Sequence, residues 1–462
     1  MRRPIPALEH LDVRYSVERR EEAGVAIDPV GAGPVSLGTS TADAPVVIVG
    51  AGVSGLSVAL RLAFLGIPSV VLDRQAHAAT VRPRLPGSSG QLIQPGELAI
   101  WDLLDGGVRE RLATLGTPCE RAELRWGRRL LHGSAAGGTD APRPVAVTHA
   151  SVRDALLQAA RQDDLIDLRL GARVVGVVAG PDDVALLLDG EVVRAPWVVA
   201  ADGPRSTLRT SLGIPTTSTA LRHVVVTFDV RGGSPPAAAA TTVSWFSPPP
   251  DRGGHLLVTP QPDGVRRLDW THPRTVDLEA DERSGRLRSQ VSQLFATTGS
   301  ALSPATIRRV ASHVAVTYRQ GRVLLVGDAA HQLVVPGDTG LGVGVRDAVA
   351  AAETLAVILR RSDVAESALE RHAVTRREAA LTAAAGQLRA VRRRVPDAAR
   401  ARVLRSALLA VAPWSSTARR YLGHPPGCTS SGGPPDDVRP RAAAVPAPSR
   451  PPDGRRHQRE RV

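Results

Sequence analysis

Apolar residues along this chain fall into two patterns. Short continuous runs at Val46–Val49, 69–72, Trp197–Ala200 and 323–326 predict strands buried on both faces, as in a parallel sheet. Longer stretches mix apolar and polar positions at helical spacing and predict helices from Ser54 to about Leu65, over 151–162, near 281–297 and over 345–361. Runs at 174–178 and Val184–Leu188, set off by the turn signals GPDD and LDG, predict a meander within 169–202. A block at about 218–272 holds HVVVTFDV, TTVSWF, HLLVTP and VRRLDW between proline- and glycine-rich stretches and predicts a separate sheet. This block separates Trp197–Ala200 from 323–326, so the α/β domain that owns those strands is discontinuous in sequence.

The apolar stretch from Val46 to Ile67 is long enough to suggest a membrane span. Its internal glycines, serines and Arg61 predict a strand, a turn and a helix instead, and no integral membrane segment is expected. The turn is Gly50-Ala51-Gly52-Val53-Ser54-Gly55, a G-x-G-x-x-G fingerprint. Its first glycine permits the tight turn, its second lets backbone approach a pyrophosphate, and its third lets helix and strand pack closely. The helix that follows presents its N-terminal amides, those of Val53 and Ser54 among them, to the phosphates. The second strand ends at Asp73, followed by Arg74, where a carboxylate takes the ribose hydroxyls of an adenosine. Strand, loop, helix, strand and acid in order predict a bound dinucleotide. An acid at 73 repels a 2′-phosphate, which leaves NAD or FAD.

Length and composition narrow the setting. A chain of 462 residues, 43% hydrophobic, suits two or three globular domains. It contains no lysine and no asparagine, so all 58 basic residues are arginine, and mechanisms that need a Schiff-base or P-loop lysine are excluded. The net charge of +13 would ordinarily suggest nucleic acid. The excess lies late, in Arg389, Arg392, Arg393, Arg394, Arg400, Arg402 and Arg405 and in the tail, with no interleaved aromatics. A solvated helix face and a tail are expected, and no nucleic-acid partner. Cys119 and Cys428 support neither a disulfide framework nor a metal site, and the charged N-terminal stretch, with Glu9, Asp12 and Glu18 after Arg2 and Arg3, lacks the apolar core of a signal peptide. A reducing, cytoplasmic location with no metal is the expectation.

Two further signals follow the first. WVVAADGPRSTLR feeds a strand into Asp202 and Gly203, and RVLLVGDAAHQLVVPGDTGLGVGVRDA feeds another into Gly327 and Asp328. Together with the first loop they resemble the three flavin signatures of the group A FAD-dependent monooxygenases, the para-hydroxybenzoate hydroxylase-like superfamily, over about residues 45–423. The resemblance implies an α/β fold with a Rossmann-like FAD-binding domain, an inserted β-sheet substrate domain and C-terminal helices. The boundaries expected are an extension at 1–44, the FAD-binding domain at 45–217 and 305–365, the substrate sheet at 218–304, helices at 366–424 and a disordered tail at 425–462. It implies that Gly50, Gly52 and Gly55 meet the pyrophosphate, Asp73 the ribose, Arg153 the phosphate region and Asp328 the ribityl chain. Asp202 would support the pyrophosphate region, and Gly340, Leu341 and Gly342 would lie against the flavin ring. A carboxylate at a strand end suits a polyol, and a glycine-rich stretch leaves room for a flat ring. The helix after it favours negative charge on reduced flavin. The chain departs from the family pattern at Val334 and Val335, where proline is common, and at Gly342, where asparagine is common.

The activity implied is a monooxygenase, hydroxylase or epoxidase, using NADH or NADPH and O2 through a C4a-hydroperoxyflavin on a small aromatic or polyketide-like substrate of secondary metabolism. The protein would be a monomer or homodimer, and no catalytic base is assigned. A same-fold flavin reductase, an NAD-dependent dehydrogenase and a basic interaction protein on a degenerate flavin fold are the alternatives. A halogenase of this fold would need a lysine. Trp245, Phe246 and Trp270 line a substrate cavity or fill the core of a sheet, and His331 is expected to close its loop structurally. His223, His255, His272 and Tyr318 are expected to be structural as well.

Overall fold

The computed structural model describes residues 46–422 apart from 77–89, 105–106, 136–142, 232–239, 250–252, 274–284, 296–301 and 338–339. The extension at 1–44 and the tail at 425–462 lie outside the described residues.

Val46–Val49 sits inside a six-stranded sheet in the order Arg319–Gln320, Val323–Leu325, Trp197–Ala200, Val46–Val49, Ser69–Asp73, Ile166–Leu170. All neighbours are parallel except the short antiparallel edge strand Arg319–Gln320. The continuous apolar runs arise because both faces are covered. Val46 and Ile48 join one core with the helices Val53–Phe64, His149–Ala160 and Gly340–Arg360. Val47 and Val49 join another beneath the meander Val174–Ala179, Val184–Leu188, Glu191–Ala195 and residues Ala373 and Ala380 of the helix Ala365–Arg394. Each such side chain contributes about 1.5–3 kcal/mol through burial. Register then levels the strand ends: Val49 stands against Leu72 on one side and Ala200 on the other, and Ala200 against Leu325.

The second sheet has eight strands in the order His331–Val334, Thr306–Ala315, Thr216–Arg231, Val265–His272, His255–Pro260, Thr241–Phe246, Arg121–Trp126, Arg129–Ala135. Four of these lie outside the expected block 218–304. The hairpin Arg121–Ala135 adds on through a parallel pairing of Arg121–Trp126 with Thr241–Phe246, and Thr306–Ala315 pairs along the 16-residue strand Thr216–Arg231. Strands with unpaired edges recruit partners wherever the chain supplies them, so sequence spacing alone does not bound this sheet. His331–Val334 follows Val323–Leu325 after one 3-10 turn, Gly327–Ala329, so the chain crosses from one sheet to the other in a few residues.

The predicted helix at 345–361 begins earlier, at Gly340. Glycine is a poor helix former, which hid the first turn from the sequence reading, but close packing there outweighs propensity. The arginine-rich region forms the helices Ala365–Arg394, Ala399–Val411 and Ser416–Leu422.

Candidate functional site

The level carboxyl edge of the parallel sheet carries the glycine turn, Asp73, Asp202 and Gly327. Hydrogen bonds lock it: Gly50 N donates to Leu72 O at 2.7 Å, Ala201 N to Val49 O at 2.8 Å and Val326 N to Ala200 O at 3.0 Å. Gly50 has φ +109°, and a Cβ there would collide with the Ala201 carbonyl, so no other residue fits. The helix Val53–Phe64 starts at Gly52 with no side-chain cap and no acid in its first turn, which leaves its amides and dipole for an anion. Arg153, on His149–Ala160, donates from Nε to Ala51 O at 2.8 Å, while its Nη2 is buried without a partner. A buried guanidinium nitrogen beside a bare helix N-terminus fits a phosphate-bearing cofactor. Asp73 accepts from Ala51 N at 2.6 Å and Gln75 N at 2.8 Å, which fixes its carboxylate at the strand end with lone pairs to spare for hydroxyls. Arg74 is exposed.

Asp202 does something more local. Its carboxylate accepts from Ser206 Oγ at 2.5 Å and Leu208 N at 3.1 Å, bracing the short helix Thr207–Ser211, whose N-cap is Ser206. Arg209 of that helix donates to Ala329 O at 2.9 Å and ties the Asp202 loop to the Gly327 loop.

Gly327 has φ +58°, and a Cβ there would run into Ser54 Oγ; the Ser54 hydroxyl fills the gap between Gly327 and Gly344. Asp328 is exposed and lines a cavity of ≈ 220 Å³ with Pro204, Arg209, His313 and His331. Behind this loop lies a buried charged network. His331 Nε2 is 2.8 Å from Asp347 Oδ2, Arg376 Nε donates to Asp347 Oδ1 at 2.8 Å, and Gly327 N donates to Asp347 Oδ2 at 3.3 Å. Burial alone would lower the His331 pKa, but the charge and hydrogen bond of Asp347 outweigh it and hold the imidazole above its ordinary value. Burial likewise opposes ionisation of Asp347, and His331 with Arg376 keeps its carboxyl below the usual range. Tyr318 stacks on His331 with centroids 6.4 Å apart, its hydroxyl buried and its pKa pushed up by desolvation and by Asp347. Nearby His372 is driven down to about 4, chiefly by burial. Gly340, Leu341 and Gly342 form the first turn of the helix that carries Asp347. A Cβ on Gly342 would stand 2.9 Å from Glu97 Oε1, whose partner oxygen accepts from Gln94 N at 3.1 Å.

The second sheet has one apolar and one polar inner face. Val226, Phe228, Leu256, Val258, Leu268 and Trp270 pack on Leu287 and Val291 of the helix Arg286–Phe295. The other face presents Thr227, Arg267, Asp269 and Arg308 to a small cleft closed by Val334 and Val335. Asp269, buried, accepts from Thr227 Oγ1 at 2.8 Å and from Gly337 N at 3.0 Å, with Arg267 Nε 3.6 Å away. It thereby holds Gly337 in place.

Trp270 is core, and Phe246 packs with Leu124 and Leu409, so neither lines this cleft. Trp245 donates to Gly127 O at 2.6 Å. His223 bonds Val395 O at 2.6 Å and His255 bonds Ser244 Oγ at 2.8 Å, both inside the fold. Asp347, Arg376, Asp269 and Glu97 were not singled out by sequence. Only Asp347 carried a signal there, as an acid on the face of a helix that also buries Gly344 and Ala351.

A family model described as "FAD binding domain" matches residues 43–385. The chain is similar to a ubiquinone hydroxylase of Rhodospirillum rubrum, 27% identical over 347 residues covering 72% of this chain and 76% of that protein. It is similar to 6-methylpretetramide 4-monooxygenase of Streptomyces rimosus, 29% identical over 369 residues covering 72% of this chain and 80% of that protein. Several other curated relatives are longer, and the chain spans 54% to 63% of their length. In fold it matches a crystal structure of p-nitrophenol 4-monooxygenase from Pseudomonas putida, with TM-score 0.68, 24% identity, and coverage of 82% of this chain and 95% of that one.

Proposed function

On the premise that the chain belongs to the FAD-binding domain family matched over residues 43–385, we propose that it is an FAD-dependent monooxygenase acting on a small aromatic or polyketide-like molecule. When bound, FAD would supply the redox chemistry, accepting a hydride from NADH or NADPH so that one atom of O2 passes to the substrate and the other leaves as water. The observation that carries the reading is the convergence of three distant stretches on one sheet edge with the unpartnered Arg153 Nη2 and a bare helix N-terminus beside them.

In this assignment the backbone from Gly50 to Gly55 and the guanidinium of Arg153 hold the pyrophosphate, and Asp73 takes the adenosine ribose. Asp202 acts indirectly, by shaping the loop whose Arg209 grips Ala329. Asp328 meets the polyol where its carboxylate faces the cavity. The turn Gly340-Leu341-Gly342 offers its amides at a helix N-terminus to the electron-rich edge of the ring. Thr227, Arg267, Asp269 and Arg308 orient a polar group of the substrate at the cleft, and Val334 and Val335 shield the reacting edge from water. Relatives named as a ubiquinone hydroxylase and as polyketide hydroxylases support this substrate class. The protein carries no helix, among the described residues, long and apolar enough to cross a membrane.

The test has two stages. Purified protein should absorb in the visible as a flavoprotein and release FAD on heating; a colourless chain that cannot be reconstituted would sink the assignment. Turnover under isotopically labelled O2 should place label in the product. Flavin reduction and substrate conversion without label would identify a reductase on the same fold.

A further inference from the structure

The helix Ala399–Val411 and the turn after it carry apolar side chains on two opposite faces. One face builds the fold: Leu409 and Ala412 are buried with Leu422 against Leu124, Leu131 and Phe246. The other is formed by Val403, Leu404, Ala407, Ala410, Val411 and Trp414, at steps of one, three or four residues, and all six are exposed. Trp414 is 82% exposed, Val403 70% and Leu404 53%. A lone exposed leucine needs no explanation, but a continuous stripe ending in tryptophan does. The anchoring face already holds the helix in place, so stability does not require this second stripe.

Charge selects the occupant. Arg389, Arg392, Arg393, Arg400, Arg402 and Arg420 are exposed on this helical region, and Asp397 is its only acid between residues 380 and 422. A second copy docked about a two-fold axis would set these arginines against one another. Nucleic acid would meet the arginines but leave the aliphatic stripe unburied. Arg400 stands one turn before Val403 and Leu404 on the same face, and aliphatic side chains and a tryptophan on a helical region whose exposed charge is almost wholly arginine match the layered chemistry of a bilayer surface, acyl chains below and phosphates above.

We propose that this stripe is a peripheral docking surface for an anionic lipid bilayer. Trp414, Val403, Leu404 and Val411 enter the headgroup and acyl boundary while the flanking arginines meet lipid phosphates. The contact lies on the surface and is independent of the flavin assignment.

The full chain should sediment with vesicles of phosphatidylcholine containing about one-third phosphatidylglycerol, sediment poorly with phosphatidylcholine alone, and detach as salt rises. Val403→Gln combined with Trp414→Gln should lower partitioning about tenfold or more. Because both positions are exposed, circular dichroism and Tm should stay unchanged. Binding that survives the double substitution would overturn the proposal and move the contact to other arginines. So would no binding to anionic vesicles at low salt. Self-association without lipid that the same substitutions abolish would give the face to a second copy instead.

Discussion

Gly327→Ala is the most direct test of the cradle at the scale of one residue. Its φ of +58° and the Ser54 hydroxyl in its way leave a methyl no comfortable position. Strain of about 1–3 kcal/mol is expected at such a site. Bound flavin, read from the visible absorbance ratio after gel filtration, should fall about tenfold or more. Asp347→Asn makes a different prediction, because it breaks a buried network from its centre. Arg376 and His331 would lose their anionic partner, at a cost of about 3–5 kcal/mol in urea unfolding. Removing one partner costs far more than the net worth of the pair, since the remaining charge stays buried. Asp269→Asn keeps the shape of the cleft and removes its negative charge. If the cleft orients substrate, KM and kcat should change while flavin content stays constant.

Helices and strands show where sequence is sufficient. The four apolar runs could be read directly, because burial on both faces leaves no room for alternation. Asp73, Asp202 and Asp328 were each visible as an acid at a strand end. The partners of those residues were not visible, because they are set by packing between elements far apart in sequence. Arg376 reaches Asp347 only because the helix Ala365–Arg394 lies across Gly340–Arg360, and nothing in TRREAA marks that arginine among its neighbours. Gly342 shows the same dependence. Its lack of a side chain makes sense once Glu97, from the short helix Pro95–Trp101, stands against it. Gly342→Ala should therefore destabilise the chain by displacing Glu97, and Glu97→Ala should relieve much of that loss. A double-mutant cycle in Tm should give a coupling of about 0.5 kcal/mol or more, and strict additivity would refute the contact.

Across the whole molecule, histidines give stability a peaked pH dependence: His372 and His331 stand on its opposite limbs, and burial lowers His255, His313 and His132 as well, so they add to the acid limb. Unfolded, His372 binds a proton near its ordinary 6.5, but folded only near 4, so the native state loses ground as pH falls through that interval. His331 acts in the opposite sense. Its folded pKa lies above 6.5, so the stabilisation from its pair with Asp347 is complete below 6.5 and is lost as pH rises through the raised value. Thermal unfolding should show the highest Tm at about pH 6.5 from these two groups. His372→Gln should lessen the acid limb, with His255 retaining part of it, and His331→Gln should flatten the alkaline one. The levelled edge of the parallel sheet also bears on synthesis. Its strands at 46–49, 197–200 and 323–325 are delivered to the growing chain in that order, with most strands of the second sheet emerging between the last two. Pairings of such sequence separation close late and slowly. The nascent chain must therefore hold an unfinished sheet, with exposed valine-rich edges, until its third strand leaves the ribosome. Refolding should show a slow phase that ends with flavin uptake, and translation that stops short of residue 325 should yield a product prone to aggregate.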